Sequence, residues 1–261
     1  TRERLSFLRE FRKILPDYLD GPINIVNTGT EASERALKLA RVWGTTKHPD
    51  KNIIIGFHRN FHGKTMGAMM AATSPEAKTW IPYHDPNMVQ LPFPYPWLFE
   101  NFSSSDKSKA ERDFFFTALD ELFINNSQIS EKNISAFILE SYQGWGAIFY
   151  PKEFVTAIAQ YAKERDILLI FDEIQSGFAR TGKLFAFEHY SVKPDLVTCG
   201  KGISGGLPLS AVVGRKEVME LDLGLSSTHG GNPLACAQGA ENLKFMRESN
   251  LVSMAEKKGR L

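Results

Sequence analysis

Ile167-Leu168-Leu169-Ile170-Phe171 runs straight into Asp172-Glu173-Ile174-Gln175. Five apolar residues without a polar interruption suit a strand covered on both faces, as strands of a parallel sheet are. Two carboxylates and an amide at its end then fall on the carboxyl edge, where open parallel sheets bind their ligands. Similar apolar runs lie at residues 53–57, 136–139, 196–198 and 211–213, and a short β-rich run lies at 23–27. Helical patterns separate several of them. Residues 31–43 place Ala32, Ala36, Leu39 and Trp43 on one face, with Glu31–Arg35 and Glu34–Lys38 expected as ion pairs at i,i+4 on the other. Pro151 stands where a first-turn proline belongs, ahead of a stripe of Phe154, Ile158, Tyr161 and Ala162. This alternation predicts an α/β fold with a mainly parallel central sheet flanked by helices.

The chain has 261 residues, 43% of them hydrophobic, enough for a substantial core. Thirty-one basic and 30 acidic residues leave a net charge of +1, so no overall field draws it to nucleic acid or to an anionic membrane. Its apolar runs are strand-sized, well short of the roughly 20 residues that span a bilayer. Cys199 and Cys236 are too few and too far apart for a disulfide scaffold, and free thiols suit a reducing compartment, which makes the cytoplasm the expected location. The first twenty residues read as an amphipathic helix rather than a targeting segment. Five prolines between residues 81 and 105 predict a long extended surface loop.

Lys201 follows the run at 196–198 and is flanked by Gly200, Gly202, Gly205 and Gly206. Three chemistries use a lysine so placed. A nucleotide P-loop needs glycine at Asp195 and a hydroxyl residue at Gly202, and fails at both. A dinucleotide fingerprint, G-x-G-x-x-G, is satisfied by residues 200–205, but Leu207-Pro208 and the strand pattern after it deny phosphate the helix N-terminus it requires. A nicotinamide-dependent oxidoreductase is therefore the lesser alternative. The third is a Schiff base, in which the lysine amine condenses with the aldehyde of pyridoxal phosphate while an acid such as Asp172 keeps the pyridine nitrogen protonated. His58 and His62 have the spacing of helical zinc ligands, but Arg59 replaces the glutamate of that motif and Asn60 and Gly63 disfavour a helix, so no metal is expected.

Five motifs occur in order: Asn27-Thr28-Gly29-Thr30-Glu31-Ala32; Phe61-His62-Gly63-Lys64-Thr65; Asp172-Glu173-Ile174-Gln175 with Gly177-Phe178-Ala179-Arg180-Thr181-Gly182; Lys201 with its glycines; and Thr228-His229-Gly230-Gly231-Asn232-Pro233. Together they resemble the class III aminotransferases, the ornithine and 4-aminobutyrate type with fold type I, over most of the chain from Asn27 to Ala240. Any one of them alone has an ordinary structural explanation; the joint occurrence carries the resemblance.

The resemblance implies pyridoxal 5'-phosphate as cofactor, Lys201 as its Schiff-base lysine and proton carrier, and Asp172 as partner of the ring nitrogen. It assigns Gly29 and Thr30 to the phosphate, Phe61 and Ile174 to the two faces of the ring, Gln175 to the ring hydroxyl and His62 to the cofactor site. Thr228 matches a threonine reaching the phosphate from the neighbouring subunit, which implies a homodimer. The substrates implied are a small amine or amino acid and an oxo acid; a mutase, racemase or decarboxylase would use the same lysine and aspartate. Two positions depart from the family pattern: Lys64 replaces an arginine, and Trp145 stands where a second glutamate follows Glu140. With Glu140, these are the expected substrate contacts, and Trp145 points to a donor bulkier or less polar than 4-aminobutyrate. The expected organisation is an N-terminal helix and entry segment at 1–26, a cofactor domain at 27–240, and at 241–261 the start of a connection to a C-terminal small domain that the sequence does not contain.

Overall fold

The computed structural model describes residues 1–221, 224 and 226–260. The amphipathic N-terminus forms α1 (Arg2–Arg12), and the β-rich run after it forms β1 (Asn24–Val26). Thr28 then caps α2 (Gly29–Lys47) in a capping box with Glu31. Next come β2 (Ile53–Phe57), the short α3 (Met66–Met70), β3 (Met88–Leu91), α4 (Ser104–Asn125) and β4 (Ile134–Glu140). A small hairpin, β5 (Tyr142–Gln143) with β6 (Ile148–Phe149), precedes α5 (Lys152–Glu164) and β7 (Leu168–Asp172). The chain closes with β8 (Leu196–Cys199), β9 (Ser210–Gly214), α6 (Lys216–Met219), α7 (Pro233–Glu248) and α8 (Leu251–Lys258).

Seven strands form one sheet in the order β1-β9-β8-β7-β4-β2-β3. The five from β8 to β3 are parallel, and β9 runs antiparallel to both β8 and β1. Strand alternation sorts the side chains onto two cores: Ile53, Ile55 and Phe57 face one side with Phe137, Leu169 and Phe171, while Ile54 faces the other with Ala136, Ile138 and Ile170. α2 covers the second face through Ala32, Ala36, Leu39 and Trp43, as its periodicity predicts. α5 and α4 cover the first with a packed set of Phe115, Phe137, Phe154 and Tyr161. The uninterrupted apolar strands are thus explained by two covered faces.

Three expectations need correction. Glu31 and Glu34 form no ion pair with Arg35 or Lys38. Glu31 accepts from the Asn27 and Thr28 N–H groups instead, and Glu34 accepts from the Ala68 N–H and the Thr65 hydroxyl, because capping a helix end satisfies donors that have no other partner. Residues 81–105 are more than a surface loop: β3 pairs with β2, and Leu91, Phe93 and Phe99 are buried. Pro151 is the N-cap of α5 rather than its first residue. At the N-terminus, Phe7 and Phe11 lie in the same core as the sheet, with α1 packed on α7. α7 also runs through position 240 without a break.

Gly56 shows how closely these layers approach. A Cβ at that position would lie 1.9 Å from the Ala71 carbonyl oxygen, a backbone atom that cannot swing aside. Gly56→Ala is expected to cost about 3 kcal/mol, at the upper end of overpacking. Urea denaturation would show it as a lowered midpoint, and a midpoint matching the unsubstituted chain would contradict the packing described.

Candidate active site

All the parallel strands end at one edge, and the functional side chains gather there. Glu140 ends β4 and Asp172 ends β7, directly opposite each other in register, while Thr198 of β8 lies opposite Asp172 on its other side. Lys201 follows β8 in a single 3-10 turn, and the chain then returns as antiparallel β9, so the glycine fingerprint opens no helix. Lys201 has φ of 38°, a left-handed conformation unusual for a side-chain-bearing residue and common at functional sites. β1 is parallel to these strands across β9, which brings the N-terminus of α2 to the same edge.

A cavity of about 630 Å³ opens there, lined by Gly29, Thr30, Phe61, His62, Gly63, Lys64, Glu140, Gly144, Trp145, Asp172, Ile174, Gln175 and Lys201. Every expected site residue except Thr228 therefore faces one space, including three from the chain around Phe61 and two from the α2 turn. Thr228 is exposed outside the cavity, although Ser227 beside it is tied to Glu31 and Asn27. Gly63 and Gly144 line the cavity but were not singled out by sequence as site residues. Their positions depend on neighbours distant in the chain.

Asp172 is 3% exposed, and each of its oxygens is engaged. One pairs with His62 Nδ1 at 2.8 Å and the other accepts from the Ile174 N–H at 3.0 Å. His62 is itself buried, and its Nε2 has no partner among the described residues. The carboxylate is thus held by a donor on either side and cannot rotate away from the cavity.

Ile174 is wedged between two glycines: a Cβ at Gly29 would come within 3.0 Å of its side chain and one at Gly200 within 3.1 Å. That close approach fixes an aliphatic wall between the α2 turn and the lysine loop. At Gly63, φ of +136° and a would-be Cβ 2.1 Å from Thr30 Oγ1 leave room for glycine alone. Opposite, Phe61 meets Trp145 edge to face, with ring centroids 6.4 Å apart. The N–H groups of Gly29 and Thr30, in the first turn of α2, carry no hydrogen bond among the described residues, so this helix end offers an anion site.

Glu140 accepts from the Phe61 N–H at 2.9 Å and the Gly144 N–H at 3.2 Å, joining the two walls. Burial, and then the neighbouring Asp172 charge, push its carboxyl up to about 8. Burial pushes Glu173 in the same direction, to about 7. A group whose folded pKa lies above its unfolded value contributes stability that is complete below the unfolded value and is lost as pH rises through the folded one. The urea midpoint is therefore expected to fall between about pH 5 and about pH 9, with a shallower fall in Glu140→Gln. A midpoint independent of pH over that range would contradict the assignment.

Among the described residues, no group of three or more His, Cys, Asp or Glu side chains could hold a metal, and no helix is long and apolar enough to cross a membrane.

Comparison with known proteins gives a consistent result. The sequence matches the family described as aminotransferase class-III over residues 1–261. It is 39% identical over 241 residues to an ornithine aminotransferase of Emericella nidulans, covering 90% of this chain and 50% of that protein. It is 38% identical to an acetylornithine aminotransferase of Methanopyrus kandleri, covering 90% of this chain and 53% of the relative. Among solved structures, a thermostable (S)-enantioselective omega-transaminase from Thermomicrobium roseum superposes with a TM-score of 0.85 at 28% identity, covering 97% of this chain and 57% of that one. The chain spans about half the length of the curated relatives it matches.

Proposed function

Because this chain belongs to the class-III aminotransferases, we propose that it transfers an amino group from an amine or amino acid to an oxo acid with pyridoxal 5'-phosphate, as one subunit of a homodimer. The observation that carries the reading is the convergence of Lys201, Asp172 and the free N–H groups of Gly29 and Thr30 on one cavity. The residues fit the cofactor: an unsatisfied helix N-terminus suits its phosphate, a clamped carboxylate its ring nitrogen, and Phe61 and Ile174 its apolar faces.

When bound, pyridoxal phosphate supplies an aldehyde and an electron-withdrawing ring. Lys201 would hold the cofactor covalently through Nζ, and the same Nζ, once free, would be the base that takes and carries the proton of the substrate carbon. Asp172 keeps a proton on the ring nitrogen, and His62 keeps Asp172 oriented. Gln175, which lines the cavity, would donate its amide N–H to the ring hydroxyl. Lys64 offers a cation, though not the bidentate fork of arginine, to a substrate carboxylate. Trp145, 78% exposed, presents a large apolar surface to the substrate where a carboxylate would otherwise stand. Thr228, outside its own cavity, would reach the cofactor phosphate held by the partner subunit. The buried, unpaired thiols of Cys199 and Cys236 support a reducing compartment, the cytoplasm.

The test is incubation with pyridoxal phosphate, borohydride reduction and peptide mapping by mass spectrometry. A pyridoxyl group on Lys201 that is lost in Lys201→Ala is the expected result; modification scattered over other lysines, or none, would overturn the reading. Consumption of an oxo acid in step with the amine separates transamination from racemase, mutase or decarboxylase chemistry.

A further inference from the structure

Beyond Trp145 lies a second cavity of about 870 Å³, with Arg59, Tyr95, Trp97, Gln143 and Ile148 among its lining residues. Trp145 lines both this cavity and the one holding Lys201, so the two adjoin across a single indole. We propose that this second cavity is a specificity subsite that takes the far end of the substrate: a flat apolar body ending in a carboxylate. What the substrate does at its near end rests on the aminotransferase reading; binding at the far end does not.

The wall is aromatic and flat. Tyr95 and Trp97 stack at 4.4 Å with their planes 15° apart, and Trp97 is 53% exposed. Such a surface, facing Trp145 and Ile148, suits a ring or a flat chain. The polar groups are donors. Gln143 is 3% exposed, and its Nε2 has no partner among the described residues. A buried amide N–H without an acceptor is unfavourable, so the free protein is built for an oxygen that arrives with a ligand.

Arg59 is exposed and forms no ion pair among the described residues, although the Glu76 carboxyl on the neighbouring turn lies close enough to feel its charge. Arg59 sits at φ of 62°, a left-handed conformation for a non-glycine residue, two residues after the end of β2. Strained backbone of this kind is characteristic of ligand clamps. A guanidinium and an amide N–H, with no acid paired to either, match an acceptor-only group such as a carboxylate. Their separation from Lys201 by Trp145 sets the order of parts along the substrate: amine, apolar spacer, carboxylate.

The first measurement is binding of 4-phenylbutyrate, which lacks an amine and so needs no turnover, followed by calorimetry and tryptophan fluorescence in the cofactor-loaded protein. Saturable binding is expected, with Kd raised about tenfold in Arg59→Asn, the scale of one lost charge-assisted hydrogen bond. Asparagine tolerates the left-handed backbone, so this variant keeps the loop in place. Gln143→Met, of similar volume without the N–H, should weaken binding in the same direction. Absence of saturable binding, or an unchanged Kd in Arg59→Asn, would overturn the subsite. Kinetics supply the second arm: KM for 4-(4-carboxyphenyl)butylamine should rise about tenfold in Arg59→Asn while kcat, and both constants for propylamine, stay put. Equal changes for the two amines would also overturn it. Failure of the wild-type protein to turn over either amine, with 4-phenylbutyrate still bound through Arg59, would sink the aminotransferase reading and leave the subsite standing.

Discussion

Lys201→Ala is expected to lower the transamination rate by about 10⁴-fold, the upper end of what a positioned general acid–base group contributes. On the proposed function the magnitude follows from two roles on one atom: the amine would anchor the cofactor and would carry the substrate proton. No neighbouring base can substitute. The other lysine lining the cavity, Lys64, comes from the segment that carries Phe61, and the carboxyls of Asp172 and Glu140 are committed to His62, Phe61 and Gly144. Lys201 is exposed, so its removal leaves the core intact and the urea midpoint close to that of the parent. Single-turnover kinetics with saturating amine give the readout, and added small primary amines should restore part of the rate. A loss below about tenfold would mean that another group moves the proton.

Glu173→Ala is expected to destabilise the fold by about 4 kcal/mol, without Glu173 touching the cavity. The side chain is fully buried and accepts from the backbone N–H groups of Ala186 at 3.0 Å and Phe187 at 2.8 Å, from Ser176 at 2.8 Å, and from the Ser141 hydroxyl. Alanine would leave two backbone donors in the interior with no acceptor, each worth about 1–3 kcal/mol, and a void beside them. The consequence reaches function because Glu173 follows Asp172 directly: it ties the end of β7 to the 3-10 turn Ala186–Tyr190 and to Ser141 after β4, holding Asp172 at its place on the edge. Glu173→Gln, which keeps an acceptor oxygen, should lose less than half as much. Urea midpoints for the pair test this, and equal losses would point to the charge rather than to the orphaned donors.

Much of this site was legible before the fold was seen, and the reason is local. A strand, a polar end and a glycine-rich turn are short-range patterns, so Asp172, Lys201, Gly29 and Thr30 could be placed at strand or helix ends by reading a few residues on either side. Residues 81–105 were misread because a cluster of prolines masks a four-residue edge strand: Met88–Leu91 alternates too briefly to register, and its partner β2 lies more than thirty positions earlier. The expected pairs of Glu31 with Arg35 and Glu34 with Lys38 followed a correct spacing rule, yet the unsatisfied N–H groups at two helix starts competed for those carboxylates and won.

The sequence by itself determined the fold class, through the periodicity of its strands and helices, and the family, through five motifs in order, and it put Lys201 and Asp172 at strand ends. Tertiary structure alone decided what surrounds them. The clamp of His62 on Asp172 joins residues 110 positions apart, the bridge from Glu140 to Phe61 joins residues 79 apart, and Ile174 touches Gly29 and Gly200 at once. Such contacts depend on the order in which strands lie in the sheet. Chain proximity carries no record of that order, and packing on two covered faces selects it.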